Sequence, residues 1–162
     1  MSSVEIVVVL AVAAIVGYAF IPVRKRYDLH AFVQKPLLTP NELEFYGRLT
    51  AALPDYLILA QVSMGALVDI STDVPEKYRV RLREMFNRKI VDYVVCSRNM
   101  RVIALVELDD RTHDATRDQL RDTLTYRAGY PTLRYESKRK PSLETLASDV
   151  AKLATKAEVS AG

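Results

Sequence analysis

Two short apolar runs lie close together in the middle of the chain, at Asp92–Cys96 and Val102–Leu108. The residues between them, Ser97–Met100, have a polar centre, which is typical of a turn. The pattern therefore predicts two neighbouring strands that form a β-hairpin.

The length of the hairpin loop decides which residues face each other. A loop of two or four residues keeps Cys96 in register with Arg101 and places Asp92 opposite Leu105, with Glu107 as the diagonal neighbour of Asp92. A loop of three residues would shift the register by one residue and spoil this arrangement.

Apolar and polar positions on either side of the hairpin predict the other elements. A helix begins at Thr39, with Pro40 at its first position and Glu42 closing a capping box. It is expected to end near Pro54, and a strand follows at Tyr56–Val62.

The second half of the domain is predicted to form a β-α-β crossover and a closing helix. The crossover helix runs from Asp114 to Ala128 and ends at Gly129, the next strand ends at Tyr135, and Ser142 caps the last helix. The predicted order is α-β-β-β-α-β-α around a mixed sheet, which places the domain in the α/β class.

The first residues have a different pattern. Val4–Val23 is apolar except for Glu5, long enough at 1.5 Å per residue to cross a hydrocarbon core about 30 Å thick, and Arg24–Arg26 follow at once. The sequence predicts one transmembrane helix, with the following chain in the cytoplasm by the positive-inside rule. A cleaved signal peptide is the alternative, but it requires a basic start and a shorter apolar core.

These patterns divide the chain into a membrane anchor at residues 1–23, a tether at 24–37, one domain at 38–156 and a tail at 157–162. The expected location is a cytoplasmic (inner) membrane, which the protein would cross once with its C-terminal domain in the cytoplasm.

The distribution of charge is a further feature of the sequence. All basic residues lie from Arg24 onward, and the chain carries a net charge of +3. This balance is compatible with a polyanion or an anionic membrane surface as partner. The basic run Pro75–Lys89 could dock on phosphates, but a solvated helix face is the favoured interpretation. The single cysteine, Cys96, is expected to be a small buried hydrophobe.

The acidic residues of the hairpin are the main candidates for chemistry. Side chains alternate along a strand, so Asp92, Glu107 and Asp109 are expected on one face and Leu108 on the other. Diagonal Cβ atoms lie roughly 7 Å apart, and two carboxylates across this gap could share a cation with oxygen ligands at about 2.1 Å. The alternative is that these acids are solvent-facing strand ends.

Several of these residues together resemble a known bacterial family. The segments that carry the resemblance are Leu38–Glu42, Asp92–Tyr93, Glu107–Asp110, His113, Arg117, Asp122, Ala128–Pro131 and Leu133–Arg134. They are similar to the domain of unknown function 2726 family, which is similar to the very-short-patch-repair endonucleases of the PD-(D/E)XK, restriction-endonuclease-like superfamily. The resemblance implies a three-layer restriction-endonuclease-like domain.

The resemblance also implies a Mg²⁺- or Mn²⁺-dependent phosphodiesterase site without a small-molecule cofactor. Asp92 and Glu107 would hold the metal with the Leu108 carbonyl, Asp109 would complete the acidic motif, and His113 would act near the phosphate. Glu42 would approach from the first helix, although its capping role is already sufficient, and Gln61 is a weaker candidate. The expected nucleic-acid contacts are Lys89, Arg117, Lys138, Arg139 and Lys140.

The chain departs from the superfamily pattern at Asp109, where the superfamily has lysine, and at Asp110, where the repair enzymes usually have glycine. Lys89 could supply a displaced cation, and His113 could instead face solvent or cap a helix. Two functions remain open: a membrane-tethered nuclease acting on DNA or RNA, and an inactive nuclease-fold module that binds nucleic acid or a protein. A homodimer is a further possibility.

Overall fold

The computed structural model describes residues 3–19, 31–109 and 123–159. The chain divides into two compact units, residues 1–36 and residues 37–162. The first unit contains α1 (Ser3–Ala19). The second is a mixed α/β domain with a four-stranded sheet.

Helix α1 corrects the prediction of a membrane anchor. It has 17 residues, which at 1.5 Å per residue gives a length of about 26 Å, short of a hydrocarbon core of about 30 Å. Within the described ranges, no helix is long and apolar enough to span a membrane. The predicted transmembrane helix, single-pass membrane partnership and inner-membrane location are therefore wrong.

Helix α2 (Pro40–Ala52) begins where the sequence predicts it. The Thr39 hydroxyl accepts a hydrogen bond from the Glu42 N–H, and the Glu42 carboxylate accepts one from the Thr39 N–H at 2.6 Å. Both donors would otherwise be unpaired at the start of the helix. The capping box therefore fixes where α2 starts and, with it, the position of Glu42.

The sheet contains the strands β1 (Leu57–Ser63), β2 (Ile90–Cys96), β3 (Val102–Asp109) and β4 (Thr132–Glu136), in that spatial order. The β1–β2 and β2–β3 pairs are antiparallel, whereas β3 and β4 are parallel. The predicted mixed sheet and the parallel crossover are thus confirmed.

The crossover reaches β4 through a helical stretch at residues 123–127. Gly129, at φ +81°, lies just beyond it, and the Tyr130 N–H donates to the Thr125 carbonyl at 2.9 Å. This is the Schellman arrangement, in which a left-handed residue closes the last turn of a helix. Gly129 therefore ends the crossover helix, as the sequence predicts.

Two further helices complete the domain. Helix α4 (Leu143–Val159) follows Ser142, whose hydroxyl accepts a hydrogen bond from the Thr145 N–H at 3.2 Å. Helix α3 (Glu76–Glu84) lies between β1 and β2, after a 3-10 turn at Met64–Ala66. The basic run thus does form a helix, which the predicted order of elements omits.

The sheet separates two groups of buried side chains. One joins α2 and α4 to β2 and β3, and its members are Phe45, Leu49, Leu53, Tyr93, Val95, Ile103, Val106, Leu146 and Val150. The other comprises Met64, Phe86, Val91, Val94, Cys96 and Leu105. Because side chains alternate along strands, Asp92 shares the face of Val94, and Glu107 shares the face of Leu105.

Candidate functional site

The hairpin between β2 and β3 contains two irregularities. Its loop has three residues, since the Ser97 N–H donates to the Arg101 carbonyl at 2.9 Å across it. A β-bulge follows on β3, where Ile103 has no partner on β2. The pairs on either side of it are Cys96 with Val102 and Val95 with Ala104. Each irregularity shifts the pairing of β3 with β2 by one residue. The two shifts add up to two residues, so Asp92 and Glu107 still extend from the same face of the sheet.

This register corrects the predicted one. Asp92 was expected opposite Leu105, but Val94 occupies that position. Continuing the same register places Asp92 directly opposite Glu107 rather than diagonal to it. The three-residue loop, which was expected to spoil the arrangement, does not do so because the bulge adds a second shift. Opposed residues have Cβ atoms about 4.5–5.5 Å apart, closer than the diagonal distance.

The acids lie where β2 and β3 separate. The last pair between these strands is Tyr93 with Val106; beyond it, β2 continues along β1 and β3 along β4. At this point the Asp92 carboxylate accepts a hydrogen bond from the Leu108 main-chain N–H at 2.9 Å. If β2 and β3 continued as a pair, a main-chain carbonyl of β2 would accept this hydrogen bond. The Asp92 side-chain oxygen takes the place of that carbonyl.

The Leu108 carbonyl faces the same gap. The Asp109 carbonyl accepts a hydrogen bond from the Ser137 N–H beyond β4 at 2.9 Å, so the main chain of Asp109 faces β4. The N–H and C=O of one strand residue point to the same neighbour, and adjacent residues alternate. Leu108 therefore directs its carbonyl, like its N–H, towards β2 and Asp92, which supports its predicted role as an oxygen ligand.

Glu107 is a buried acid, with 4% of its surface exposed. Its register partner on β4 is Arg134, and the Arg134 guanidinium lies 3.6 Å from the Asp109 carboxylate. Since paired residues of neighbouring strands extend from the same face, Arg134 places a positive charge beside two of the candidate acids. The sequence interpretation named Arg134 only among the residues that carry the family resemblance and assigned it no role.

Gln61 has an unusual main-chain conformation next to the acids. Its φ of 54° is left-handed, although it lies within β1 and is not glycine. Its neighbours along the strand remain paired with β2, and the register places Gln61 opposite Asp92. A non-glycine residue in this region costs about 1–3 kcal/mol and is frequent at functional sites.

Gln61 also connects β1 with α2. Its side-chain amide donates to the second carboxylate oxygen of Glu42 at 3.4 Å. Tyr93, on the same face of the sheet as α2, donates its O–H to the Glu42 carbonyl at 2.7 Å. Burial, followed by the charges of Asp92 and Glu42, raises the pKa of Tyr93 above its ordinary value. The start of α2 is therefore hydrogen-bonded to β1 and β2.

The available ligands suit a partly hydrated cation. Among the residues that the structure describes, no group of three or more His, Cys, Asp or Glu could hold a metal ion. The potential donors are instead two carboxylates, Asp92 and Glu107, with the Leu108 carbonyl. Mg²⁺ is commonly bound by one or two carboxylates and keeps several waters, and oxygen ligands suit both Mg²⁺ and Mn²⁺. This donor set fits such an ion.

The predicted basic contacts have different environments. Lys138 and Arg139 are exposed in the turn after β4, and Lys89 is partly exposed just before β2. Lys140 instead binds the side chains of Asn41 and Glu44 on α2. His113 and Arg117 lie outside the described residues.

Two opposed acids and an exposed basic turn thus lie at one end of the mixed α/β sheet. At this end β3 and β4 finish and β2 begins. The chain belongs to the family described as Protein of unknown function (DUF2726), whose model matches residues 34–153. Neither the curated proteins nor the solved structures contain a match to the chain.

Proposed function

We propose that the protein is a metal-dependent phosphodiesterase that cleaves DNA or RNA. The observation that supports this proposal is the register of β2 and β3, which sets Asp92 opposite Glu107 when it is continued one residue beyond the pair of Tyr93 and Val106. The bond from the Leu108 N–H to Asp92 holds that carboxylate at the gap.

The described residues would have different roles in such a site. Asp92, Glu107 and the Leu108 carbonyl would hold Mg²⁺ or Mn²⁺. When bound, the ion supplies charge neutralisation at the phosphate and a water of lowered pKa. Arg134, beside Glu107 in the register, would contact a phosphate oxygen, because a guanidinium matches phosphate geometry.

The similarity to the very-short-patch-repair endonucleases also supports the proposal. The sequence Glu107-Leu108-Asp109 has their E-x-D form, and Asp92 precedes it on the neighbouring strand. The superfamily has lysine at the position of Asp109. Here that position carries an acid paired with Arg134, so the cationic group comes from β4 rather than from β3.

The test is cleavage by the full chain of labelled single- and double-stranded DNA and RNA, with Mg²⁺, Mn²⁺ or EDTA. Asp92→Asn and Glu107→Gln are expected to lower the rate at least ~100-fold, as expected for the loss of a group that stabilises charge in the transition state. Asp55→Asn removes an exposed acid far from the site and should leave the rate unchanged. Equal activity in all three variants would contradict the proposal.

A second candidate function is binding without cleavage. The ion pair between Asp109 and Arg134 favours it, because it neutralises an acid of the motif that lacks the superfamily lysine. A nucleic-acid-binding module of this kind would hold the same substrates in EDTA and would show no product in either metal.

A further inference from the structure

Helix α3 has an unusual surface for a helix of a globular domain. None of its residues is buried. Tyr78 is 52% exposed and Val80 68% exposed. The favoured sequence interpretation was a solvated face opposite an apolar one, which requires that one face of the helix be buried. In the structure only Arg79 of α3 is partly covered, so the apolar face that this interpretation requires is not buried.

The charge of this segment is strongly one-sided. Between Glu76 and Lys89 there are six basic and two acidic residues, and the basic ones are Lys77, Arg79, Arg81, Arg83, Arg88 and Lys89. Clustered arginine and lysine on one element are the electrostatic footprint of nucleic-acid binding.

Four of the six basic residues of this segment fall into two groups. Arg79 donates to the Ser71 carbonyl at 3.0 Å, and Arg83 lies 3.0 Å from the Asp69 carboxylate, so these two fix the helix to the preceding loop. Arg81 and Arg88 have no ion pair within the described residues and are exposed. The first group therefore positions the helix, and the second remains available to a partner.

The segment is also continuous with the candidate site. Phe86, just beyond α3, is buried in the same cluster as Leu105, on the face of the sheet that Glu107 shares. The Lys89 carbonyl accepts a hydrogen bond from the Met64 N–H at 2.9 Å, which places Lys89 directly at the end of β2 that carries Asp92.

We infer that α3 and the residues after it, up to Lys89, form a docking surface for a nucleic-acid strand that leads to the acids. Arg81 and Arg88 contact phosphates. The Lys77 ammonium lies 4.8 Å from the centroid of the Tyr78 ring, so a base can stack on the other face of that ring. The inference rests on the proposed function, which identifies the bound polyanion as a nucleic acid. It adds the path by which the nucleic acid reaches the acids.

The test is fluorescence anisotropy of the full chain with a labelled 20-nucleotide DNA, as a single strand and as a duplex, in EDTA. The double variant Arg81→Gln/Arg88→Gln is expected to bind on the order of tenfold more weakly, with a log–log salt slope shallower by about 1.5. The matched control, Arg101→Gln/Lys152→Gln, removes the same charge from exposed sites beside the hairpin loop and on α4. It should bind within about twofold of the parent chain.

Equal losses in the two double variants would show that only net charge matters and would overturn the inference. So would unchanged binding in the α3 variant. Vesicles containing phosphatidylserine provide the competing arm: binding to them that exceeds binding to DNA, and that is lost in the α3 variant, would assign the surface to a lipid instead.

The binding test and the cleavage test fail independently. Binding that depends on α3 but is accompanied by no cleavage in Mg²⁺ or Mn²⁺ removes the proposed activity and keeps the docking surface. Cleavage that requires Asp92, with binding indifferent to α3, removes the docking surface and keeps the activity.

Discussion

The Asp92 carboxylate accepts a hydrogen bond from the Leu108 main-chain N–H at 2.9 Å. This bond joins β2 to β3 just beyond their last main-chain pair, so Asp92 has a structural role in addition to its proposed role as a ligand. The two roles can be separated, because an asparagine side chain can still accept the bond whereas alanine cannot.

We therefore expect Asp92→Ala to lower the free energy of unfolding by about 2 kcal/mol, as for a hydrogen bond to a charged group, and Asp92→Asn to cost about half of that. Both variants should lose cleavage. Urea unfolding and the nuclease assay on the same samples measure the two effects. Asp55→Ala is the control, expected within about 0.5 kcal/mol of the parent. If Asp92→Asn cleaves normally, the carboxylate charge is not required.

Gln61 provides a test of strain at the site. Glycine adopts positive φ without penalty, so Gln61→Gly should leave the free energy of unfolding unchanged or raise it by up to about 1 kcal/mol. Cleavage should fall, because the amide that contacts Glu42 is removed. The matched control is Met100→Gly, at the other non-glycine residue with positive φ among those described. It should have the same stability effect with full activity.

An equal fall in cleavage for the two glycine variants would mean that flexibility in general, and not the Gln61 side chain, reduces the rate. A large loss of stability in Gln61→Gly would contradict the idea that the left-handed conformation is strained there.

Tyr93 allows the contribution of one partly buried hydrogen bond to be measured. Tyr93→Phe removes the bond from the phenol to the Glu42 carbonyl and should lower the free energy of unfolding by about 1 kcal/mol. The start of α2 should also become less protected against amide hydrogen exchange. Tyr126 is 81% exposed, so Tyr126→Phe should change neither quantity. Equal behaviour of the two variants would show that the bond does not contribute to stability.

The contact between Lys140 and Glu44 predicts a dependence of stability on pH. The hydrogen bond from Lys140, followed by that from Arg48, holds the pKa of Glu44 below its ordinary value of 4.5. A lowered folded-state pKa means that the stabilisation is complete above the unfolded-state pKa and is lost as pH falls through the folded-state pKa. Lys140→Met should therefore be less stable than the parent at about pH 7, with a smaller difference at about pH 3.

Urea unfolding at the two pH values measures this difference, and an NMR titration of the Glu44 carboxyl should show a higher pKa in the variant. Lys152→Met, which removes an exposed lysine paired within α4, is the control. A stability difference that is the same at both pH values would show that Lys140 acts through packing rather than through its charge.

Local sequence signals were sufficient where a few neighbouring residues determine the structure. The capping box of Thr39 and Glu42 predicts the start of α2, and Gly129 predicts the end of the crossover helix, because each satisfies main-chain groups within one turn. The hairpin and the parallel crossover also follow from short patterns. The basic helix α3 was recognised as a helix candidate, but the lack of a buried residue on it depends on what the rest of the chain leaves uncovered.

The candidate site was predicted only in part, because its geometry depends on contacts between strands. The opposition of Asp92 and Glu107 results from a bulge at Ile103, and no residue type requires a bulge there. The pairing of Arg134 with Asp109 similarly depends on the register of a parallel strand. The apolar pattern at the start of the chain was misleading, because no helix within the described residues is long and apolar enough to span a membrane.

Both irregularities of the β2–β3 hairpin lie between the acids and the tip, so the strand pairs next to the acids do not depend on the length of the turn. A residue removed from the three-residue tip leaves a two-residue turn, which is a common hairpin connection, and Tyr93 still pairs with Val106. Variation in length at the tip among related sequences should therefore leave the two acids side by side.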